Sequence, residues 1–175
     1  WGNLIINIAG STNNLTAEGN LTNVRGNLYV KNAGSGSYRL ATIIGNLSPT
    51  VNIGGNLILD AGELDFTNGS GVPTVNVAGD VILNGGTLRP TASGGTGVPA
   101  FKVAGNWTKN GGTFTPGSGT VTLNGGASQT LSGATTFNSL SVNNGVGITL
   151  NSDQTVASTL TLTNWRVVDD TAPFV

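Results

Sequence analysis

One phrase occurs three times in the middle of the chain, and its spacing constrains the fold more than any other feature. The copies begin at Pro49 (PTVNIGGNL), Pro73 (PTVNVAGDV) and Pro99 (PAFKVAGNW). The offsets between their first positions are 73 − 49 = 24 and 99 − 73 = 26. A repeat of this length is typical of a solenoid, in which each repeat is one structural unit that stacks on its neighbours.

Each repeat predicts three short strands separated by corners that contain glycine. The phrase is followed by ILDAGEL in the first copy, ILNGGTL in the second and TKNGGTF in the third. Apolar residues alternate with Thr, Asn or Lys within the strands, and this period of two directs one side inward and the other outward. Aligning the repeats predicts four columns of core side chains: Val51, Val75 and Phe101; Ile53, Val77 and Val103; Leu57, Val81 and Trp107; and Leu64, Leu88 and Phe114.

These columns predict an all-β, single-domain parallel β-helix (a β-solenoid) with about 24–26 residues per coil and right-handed crossovers. The alternative is a β-sandwich of two antiparallel sheets, which does not require equivalent positions to recur at a constant separation. The solenoid is predicted over residues 1–164, with irregular coils in 1–48, regular coils in 49–116 and variant coils in 117–164. Residues 165–175 break the pattern and are predicted to be a tail or a linking strand.

The composition excludes several classes of function. Only 9% of the residues are charged, the net charge is −1, and there is no Cys, His or Met. We therefore expect no nucleic-acid partner, no thiolate metal site, no cofactor and no histidine-dependent nucleophilic catalysis. No apolar run approaches the length needed to span a membrane. Because the chain begins at Trp1 without an initiator Met, we expect a processed product or an excerpt of a longer protein.

The densest group of acidic residues consists of Asp60, Glu63 and Asp65. Glu63 and Asp65 lie two positions apart on a predicted strand, so both project from the same side. Paired carboxylates can serve glycoside hydrolysis or bind Ca²⁺, which makes these three residues the candidates for a metal or catalytic site. The following repeats have Thr87 and Thr113 in place of Glu63, so the favoured interpretation is a solvated outer surface beside a turn.

One corner position is polar in every regular repeat. It holds Asn56, Asp80 and Asn106 in successive copies. Asn and Asp side chains commonly accept a hydrogen bond from their own backbone in turns. We therefore expect these residues to form local turns rather than a site.

Three segments are predicted to protrude from the coils. Segment 31–38 is rich in Gly and Ser, and segments 68–72 and 91–98 connect successive repeats. All three are expected to leave the coil after its third strand. If the protein is an adhesive module, these loops would contact surface glycans.

The stretch 101–164 carries a family resemblance. It reads FKVAGNWTKNGGTFTPGSGTVTLNGGASQTLSGATTFNSLSVNNGVGITLNSDQTVASTLTLTN. This is similar to β-solenoid repeat regions of large secreted bacterial surface proteins of the Bacteroidetes type, including adhesin-like proteins. The resemblance implies an extracellular or cell-surface location and carries no catalytic residue, because the shared positions are corner Gly or Asn and core Val, Leu, Trp or Phe.

The ends of a solenoid are open β edges unless they are capped, and such edges pair with other chains. No amphipathic helix is evident at either end, and Trp1, Trp165 and Phe174 are the candidate assembly contacts. The favoured hypothesis is therefore a structural protein of a cell-surface fibre or filament, in which the partner is the protein itself, as separate copies or as tandem units of one chain. The alternative is an adhesive, carbohydrate-binding module. A polysaccharide-degrading enzyme that uses the acidic residues is less favoured.

Overall fold

A computed structural model describes residues 2–13, 15–17, 20–35, 37–39, 47–91 and 95–167, and the side chains of 37–39 and 165–167 are not included in the description. These residues form 18 β-strands and no helix. The strands are β1 (Leu4–Asn7), β2 (Leu15–Thr16), β3 (Asn23–Val24), β4 (Leu28–Asn32), β5 (Ser37–Arg39), β6 (Thr50–Ile53), β7 (Leu57–Leu59), β8 (Glu63–Thr67), β9 (Thr74–Val77), β10 (Val81–Leu83), β11 (Thr87–Thr91), β12 (Ala100–Val103), β13 (Trp107–Lys109), β14 (Thr113–Phe114), β15 (Thr120–Leu123), β16 (Gln129–Ser132), β17 (Thr135–Leu150) and β18 (Gln154–Val167).

The strands stack into about six coils with three faces. Face 1 contains β3, β6, β9, β12, β15 and residues 139–142 of β17. Face 2 contains β1, β4, β7, β10, β13, β16 and residues 148–150 of β17. Face 3 contains β2, β5, β8, β11 and β14. Because β17 belongs to two faces, faces 1 and 2 form a single 13-stranded sheet, while face 3 is a separate 5-stranded sheet.

Every pairing between the described strands is parallel, which confirms the β-solenoid and excludes the sandwich alternative. The register pairs Val75 with both Val51 and Phe101, and the other three predicted columns align in the same way. All twelve side chains are buried, and they belong to one continuous core. The hand of the coil stays a prediction.

The coils are not all of one length. The register pairs Thr50 with Thr74 and Thr74 with Ala100, so the sequence separation is 74 − 50 = 24 and then 100 − 74 = 26. Ala100 pairs with Thr120, and Thr120 with Ser139, so the separation falls to 120 − 100 = 20 and then to 139 − 120 = 19. The coils shorten because the connection that leads from face 3 back to face 1 has fewer residues. In the later coil this connection is part of β17, which runs without interruption from Thr135 to Leu150.

Glycine serves two different purposes at the two corners of a coil. At the corner between faces 2 and 3, Gly86 has a φ of 66°, a left-handed conformation that other residues adopt only at a cost. At the corner between faces 1 and 2, Gly79 has no such φ, but a Cβ there would overlap Oδ1 of Asn56 in the preceding coil. The first corner therefore needs glycine for its backbone angles and the second needs it for space.

An aromatic cluster fills the core where the coils begin to shorten. Trp107 is fully buried, and its ring lies 4.9 Å from Phe114, 5.2 Å from Phe137 and 6.0 Å from Phe101, measured between centroids, each in an edge-to-face arrangement. Phe66 extends the cluster through Phe101 at 5.1 Å. Edge-to-face contacts of this kind add to the stabilisation that comes from burial alone.

The prediction for segment 31–38 was wrong in its position. Residues 28–32 form β4 on face 2 and residues 37–39 form β5 on face 3, so the segment is the corner between the second and third strands of its coil. Its glycine content reflects that corner, where Gly34 has a φ of 67°. At the other end of the chain, β18 continues to Val167, which lies within the segment predicted as the tail.

Candidate functional site

The acidic residues Glu63 and Asp65 are brought together by Arg89 in the next coil of face 3. Arg89 Nε lies 3.1 Å from Asp65 Oδ1, and Arg89 Nη2 contacts Glu63 Oε1. Asp65 is 0% exposed, so the prediction of a solvated surface was wrong at this residue. Burial would lower the pKa of Arg89, but the hydrogen bond to Asp65 and the charges of Asp65 and Glu63 outweigh it and raise that pKa. The arrangement is an ion pair between coils.

Asp60 lies in a separate network at the corner between faces 2 and 3. Its Oδ2 accepts a hydrogen bond from the Tyr29 hydroxyl, and its Oδ1 accepts one from Nδ2 of Asn84 at 2.8 Å. Asn84 Oδ1 in turn accepts a hydrogen bond from Nδ2 of Asn110 at 2.8 Å. Asp60 thus begins a side-chain ladder along the corner, and it does not join Glu63 and Asp65 in one site.

We searched the described part of the chain for a metal-binding group and for a membrane-spanning helix. There, no group of three or more His, Cys, Asp or Glu side chains is arranged to hold a metal ion. The same residues include no helix that could cross a membrane.

The corner residues Asn56, Asp80 and Asn106 do not bond their own backbone, so that expectation was wrong. Asp80 Oδ1 instead accepts a hydrogen bond from the backbone N–H of Asn106, one coil later, at 2.7 Å. Asn106 Oδ1 accepts one from the backbone N–H of Thr130 at 2.8 Å. The side chains connect successive coils, which is a structural role.

The predicted glycan-binding loops 68–72 and 91–98 pack on each other where the structure describes them. The backbone N–H of Gly97 donates to the carbonyl of Gly69 at 2.8 Å, and Thr91 Oγ1 donates to the carbonyl of Gly97 at 2.7 Å. The loops leave two apolar side chains at the surface, Val72 and Val98. Residues 92–94 of the second loop lie outside the described part of the chain.

A buried polar pair that the sequence analysis missed lies in the C-terminal coils. Gln129 is 1% exposed and Asn144 is 0% exposed, and Asn144 Nδ2 donates to Gln129 Oε1 at 2.9 Å. Gln129 Oε1 also accepts a hydrogen bond from the N–H of Gly125 at 2.8 Å, while its Nε2 donates to the carbonyl of Val103 at 3.0 Å. Both amides are satisfied by the chain itself, so the pair supports the turn and offers no free group to a ligand.

The last coil is the surface on which a functional role can be argued, because its inward side chains are uncovered. Leu140 is 4% exposed, but its register partner in β18, Leu160, is 53% exposed. Val142 is 1% exposed and its partner Leu162 is 42% exposed. These two pairs lie on face 1, where Leu160 and Leu162 continue the core columns into the last described strand.

Face 2 differs, because Ile148 in β17 pairs with Val167 in β18, so Leu150 belongs to the coil before the last. Leu131 is 0% exposed, whereas its partner Leu150 is 57% exposed. Of the predicted assembly contacts, Trp165 lies in β18 opposite Asn144. The side chain of Trp165, together with Trp1 and Phe174, lies outside the described part of the chain.

Comparison of the chain with protein-family models, with curated proteins and with solved structures gives no match. The β-solenoid architecture therefore rests on the strand register alone.

Proposed function

We propose that the chain is an extracellular structural protein, a β-solenoid module of a cell-surface fibre whose modules stack head to tail. The observation that carries this proposal is the exposed last strand, β18, in which Leu160 and Leu162 occupy core columns and are 53% and 42% exposed. One further parallel coil would cover these two side chains. Burying an aliphatic side chain contributes roughly 1.5–3 kcal/mol, so covering them favours association.

The last strand lacks the charge and the proline that usually prevent such pairing, and it has two bulges, one between Val156 and Thr159 and one between Leu162 and Asn164. Natural edge strands are protected by charged side chains, by proline or by bulges that turn the edge away. Residues 154–165 contain no charged residue and no proline. Residues 154–165 therefore present no charge and no proline that would oppose pairing with another strand.

The first coil offers a complementary edge. Strands β1 and β3 are the first and last strands in the order of the 13-stranded sheet. One side of each is therefore unpaired among the described strands. Residues 2–17 contain no charged residue either. Because all pairings are parallel, the last coil of one module can continue into the first coil of the next with the same hydrogen-bonding pattern. Contacts between two different surfaces that do not close a ring build open filaments.

The experiment compares filament formation by the chain and two double variants, using electron microscopy and light scattering across a concentration series. In Leu160→Ser with Leu162→Ser, we expect the concentration needed for filaments to rise by roughly tenfold or more, because the covered apolar area is lost. The control, Thr159→Ser with Thr161→Ser, alters outward residues of the same strand and should leave that concentration unchanged. Dispersed single modules at high concentration of the unaltered chain would refute the proposal.

A further inference from the structure

The outer surface of face 2 carries a row of apolar side chains. Ile5, Tyr29, Ile58 and Ile82 are register partners in four successive coils, and the row ends at Thr108. Their neighbours along each strand point into the core, so these four point outward. Ile5 is 61% exposed, and the other three are half-buried.

Four strands of face 2, β1, β4, β7 and β10, are therefore apolar on both sides. The sequence Leu57-Ile58-Leu59 shows this pattern, and Val81-Ile82-Leu83 repeats it in the next coil. On face 1 the outward positions are polar instead, as Asn52, Asn76 and Lys102 show. Strands that are apolar on both sides are typical of a sheet that is covered on both sides.

Polar groups border the row, and they are already paired within the chain. On one side the side chains of Asp60, Asn84 and Asn110 bond to each other, with Asp60 also bound by Tyr29. On the other side Asn56 Oδ1 accepts the N–H of the next coil at 2.8 Å. A second surface can cover the apolar row without leaving these groups unpaired, which would otherwise oppose association. An apolar strip with a polar border is the usual anatomy of a protein–protein contact.

We propose that face 2 is a lateral interface at which a second copy of this chain packs its own face 2, sheet against sheet at roughly 10 Å. The twofold axis crosses the row between Tyr29 and Ile58, so the two solenoid axes run in opposite directions. Ile5 then lies opposite Ile82 of the second copy, and Tyr29 lies opposite Ile58.

The positions of the charged residues Lys31 and Asp60 favour antiparallel axes over parallel axes. Lys31 is exposed in β4, directly after Val30, and Asp60 follows Leu59, the register partner of Val30. With antiparallel axes, Lys31 of each copy faces Asp60 of the other, which gives two ion pairs. Parallel axes would place Lys31 opposite Asn27 and would give none. Complementary charges of this kind fix the register of an interface more than they raise its affinity.

This contact is independent of head-to-tail stacking, and the experiment separates the two. It uses the Leu160→Ser, Leu162→Ser chain, in which the end contact is weakened, and measures mass by sedimentation at micromolar concentration. We expect a dimer that does not grow further. Adding Ile58→Thr and Ile82→Thr should weaken the dimer by roughly tenfold or more while the circular dichroism stays unchanged, since Thr108 already occupies this row in the next coil.

Two controls make the result specific. Val72→Thr with Val98→Thr removes exposed apolar groups elsewhere and should leave the dimer intact. Lys31→Glu should weaken the dimer, most strongly at low salt, and Lys102→Glu on face 1 should not. A chain that sediments as a monomer in the Leu160→Ser, Leu162→Ser background would overturn the lateral interface and leave the filament proposal untouched. The lateral interface would also be overturned if the Ile58→Thr, Ile82→Thr variant formed a dimer as strong as that of the Val72→Thr, Val98→Thr variant.

Discussion

Oδ1 of Asn56 accepts a hydrogen bond from the backbone N–H of Asp80, 2.8 Å away and one coil later. The same bond recurs at four other passages of this corner, with separations of 2.7–2.8 Å: Asn3 to Asn27, Asn27 to Asn56, Asp80 to Asn106 and Asn106 to Thr130. The corner turns the backbone out of the sheet ladder, and the side-chain oxygen takes the place of the missing carbonyl acceptor.

We predict that Asn56→Ala destabilises the protein by about 1–3 kcal/mol, because the N–H of Asp80 loses its acceptor in a partly buried position. The matched control is Asn56→Asp, which retains an acceptor oxygen of the kind that Asp80 supplies one coil later. It should change the free energy of unfolding by less than about 0.5 kcal/mol. Urea denaturation measures both, and equal losses in the two variants would contradict the role of the oxygen.

A second, separate prediction concerns the glycine that directly precedes each of these corner residues, such as Gly79 before Asp80. A Cβ at Gly79 would overlap Asn56 Oδ1 and would lie 2.8 Å from the carbonyl group of Gly55. Because the backbone of Gly55 cannot move aside, Gly79→Ala should destabilise by roughly 1–3 kcal/mol.

The control for this substitution is Gly126→Ala. A Cβ at Gly126 meets nothing within 4 Å, and Gly126 has no left-handed φ. It should therefore stay within about 0.5 kcal/mol of the unaltered chain. Thermal unfolding of both variants decides the matter, and similar melting temperatures would show that the close approach at Gly79 is unimportant.

The sequence was sufficient to predict the regular coils because the repeat holds its length there. Val51, Val75 and Phe101 could be aligned since the offsets between the repeated phrases, 24 and 26, are those of the strand register. Where the length changes, alignment fails. Leu4 pairs with Leu28, a separation of 28 − 4 = 24, but Asn23 pairs with Asn52, a separation of 52 − 23 = 29, so the early coils do not share one length.

Two features of the surface could have been found by the same alignment. Arg89 lies one full repeat after Asp65, so stacking the outward positions would have placed the two charges side by side. The uninterrupted apolar triplet at Leu57-Ile58-Leu59 was also visible. The direction of the Asn56 side chain could not be predicted from the sequence. A repeat length does not show whether Asn56 bonds to its own turn or to the next coil.

The buried indole of Trp107 gives a third prediction. Its Nε1 donates to Thr135 Oγ1 at 3.2 Å, and both side chains are buried. Thr135→Val keeps the volume but leaves the N–H unpaired, so we expect a loss of about 1–3 kcal/mol, whereas Thr135→Ser should cost less because it keeps the acceptor. In a Trp107→Phe background the Val substitution should lose most of its effect, as urea denaturation of the four chains would show. An unchanged cost in that background would contradict the pairing.

The contact between Tyr29 and Asp60 predicts a dependence on alkaline pH. The hydrogen bond to Asp60, followed by burial and the charge of Asp60, raises the pKa of Tyr29 above its usual value of 10.0. Since the folded-state pKa is the higher one, the stability that Tyr29 contributes is fully present below pH ~10 and is lost as the pH rises through the folded-state pKa. The difference in stability between the unaltered chain and Tyr29→Phe should therefore be constant near neutrality and shrink at alkaline pH.

The titration itself can be observed directly, because Tyr38 is the only other tyrosine. In a Tyr38→Phe chain, the ultraviolet absorbance of tyrosinate reports Tyr29 alone, and we expect its midpoint above that of free tyrosine. Adding Asp60→Asn removes the charge that opposes ionisation and should lower the midpoint. The same midpoint with and without the Asp60 carboxylate would show that the hydroxyl is not bound to it in solution, and the corner ladder that Asp60 begins would then lack its link to the apolar row of face 2.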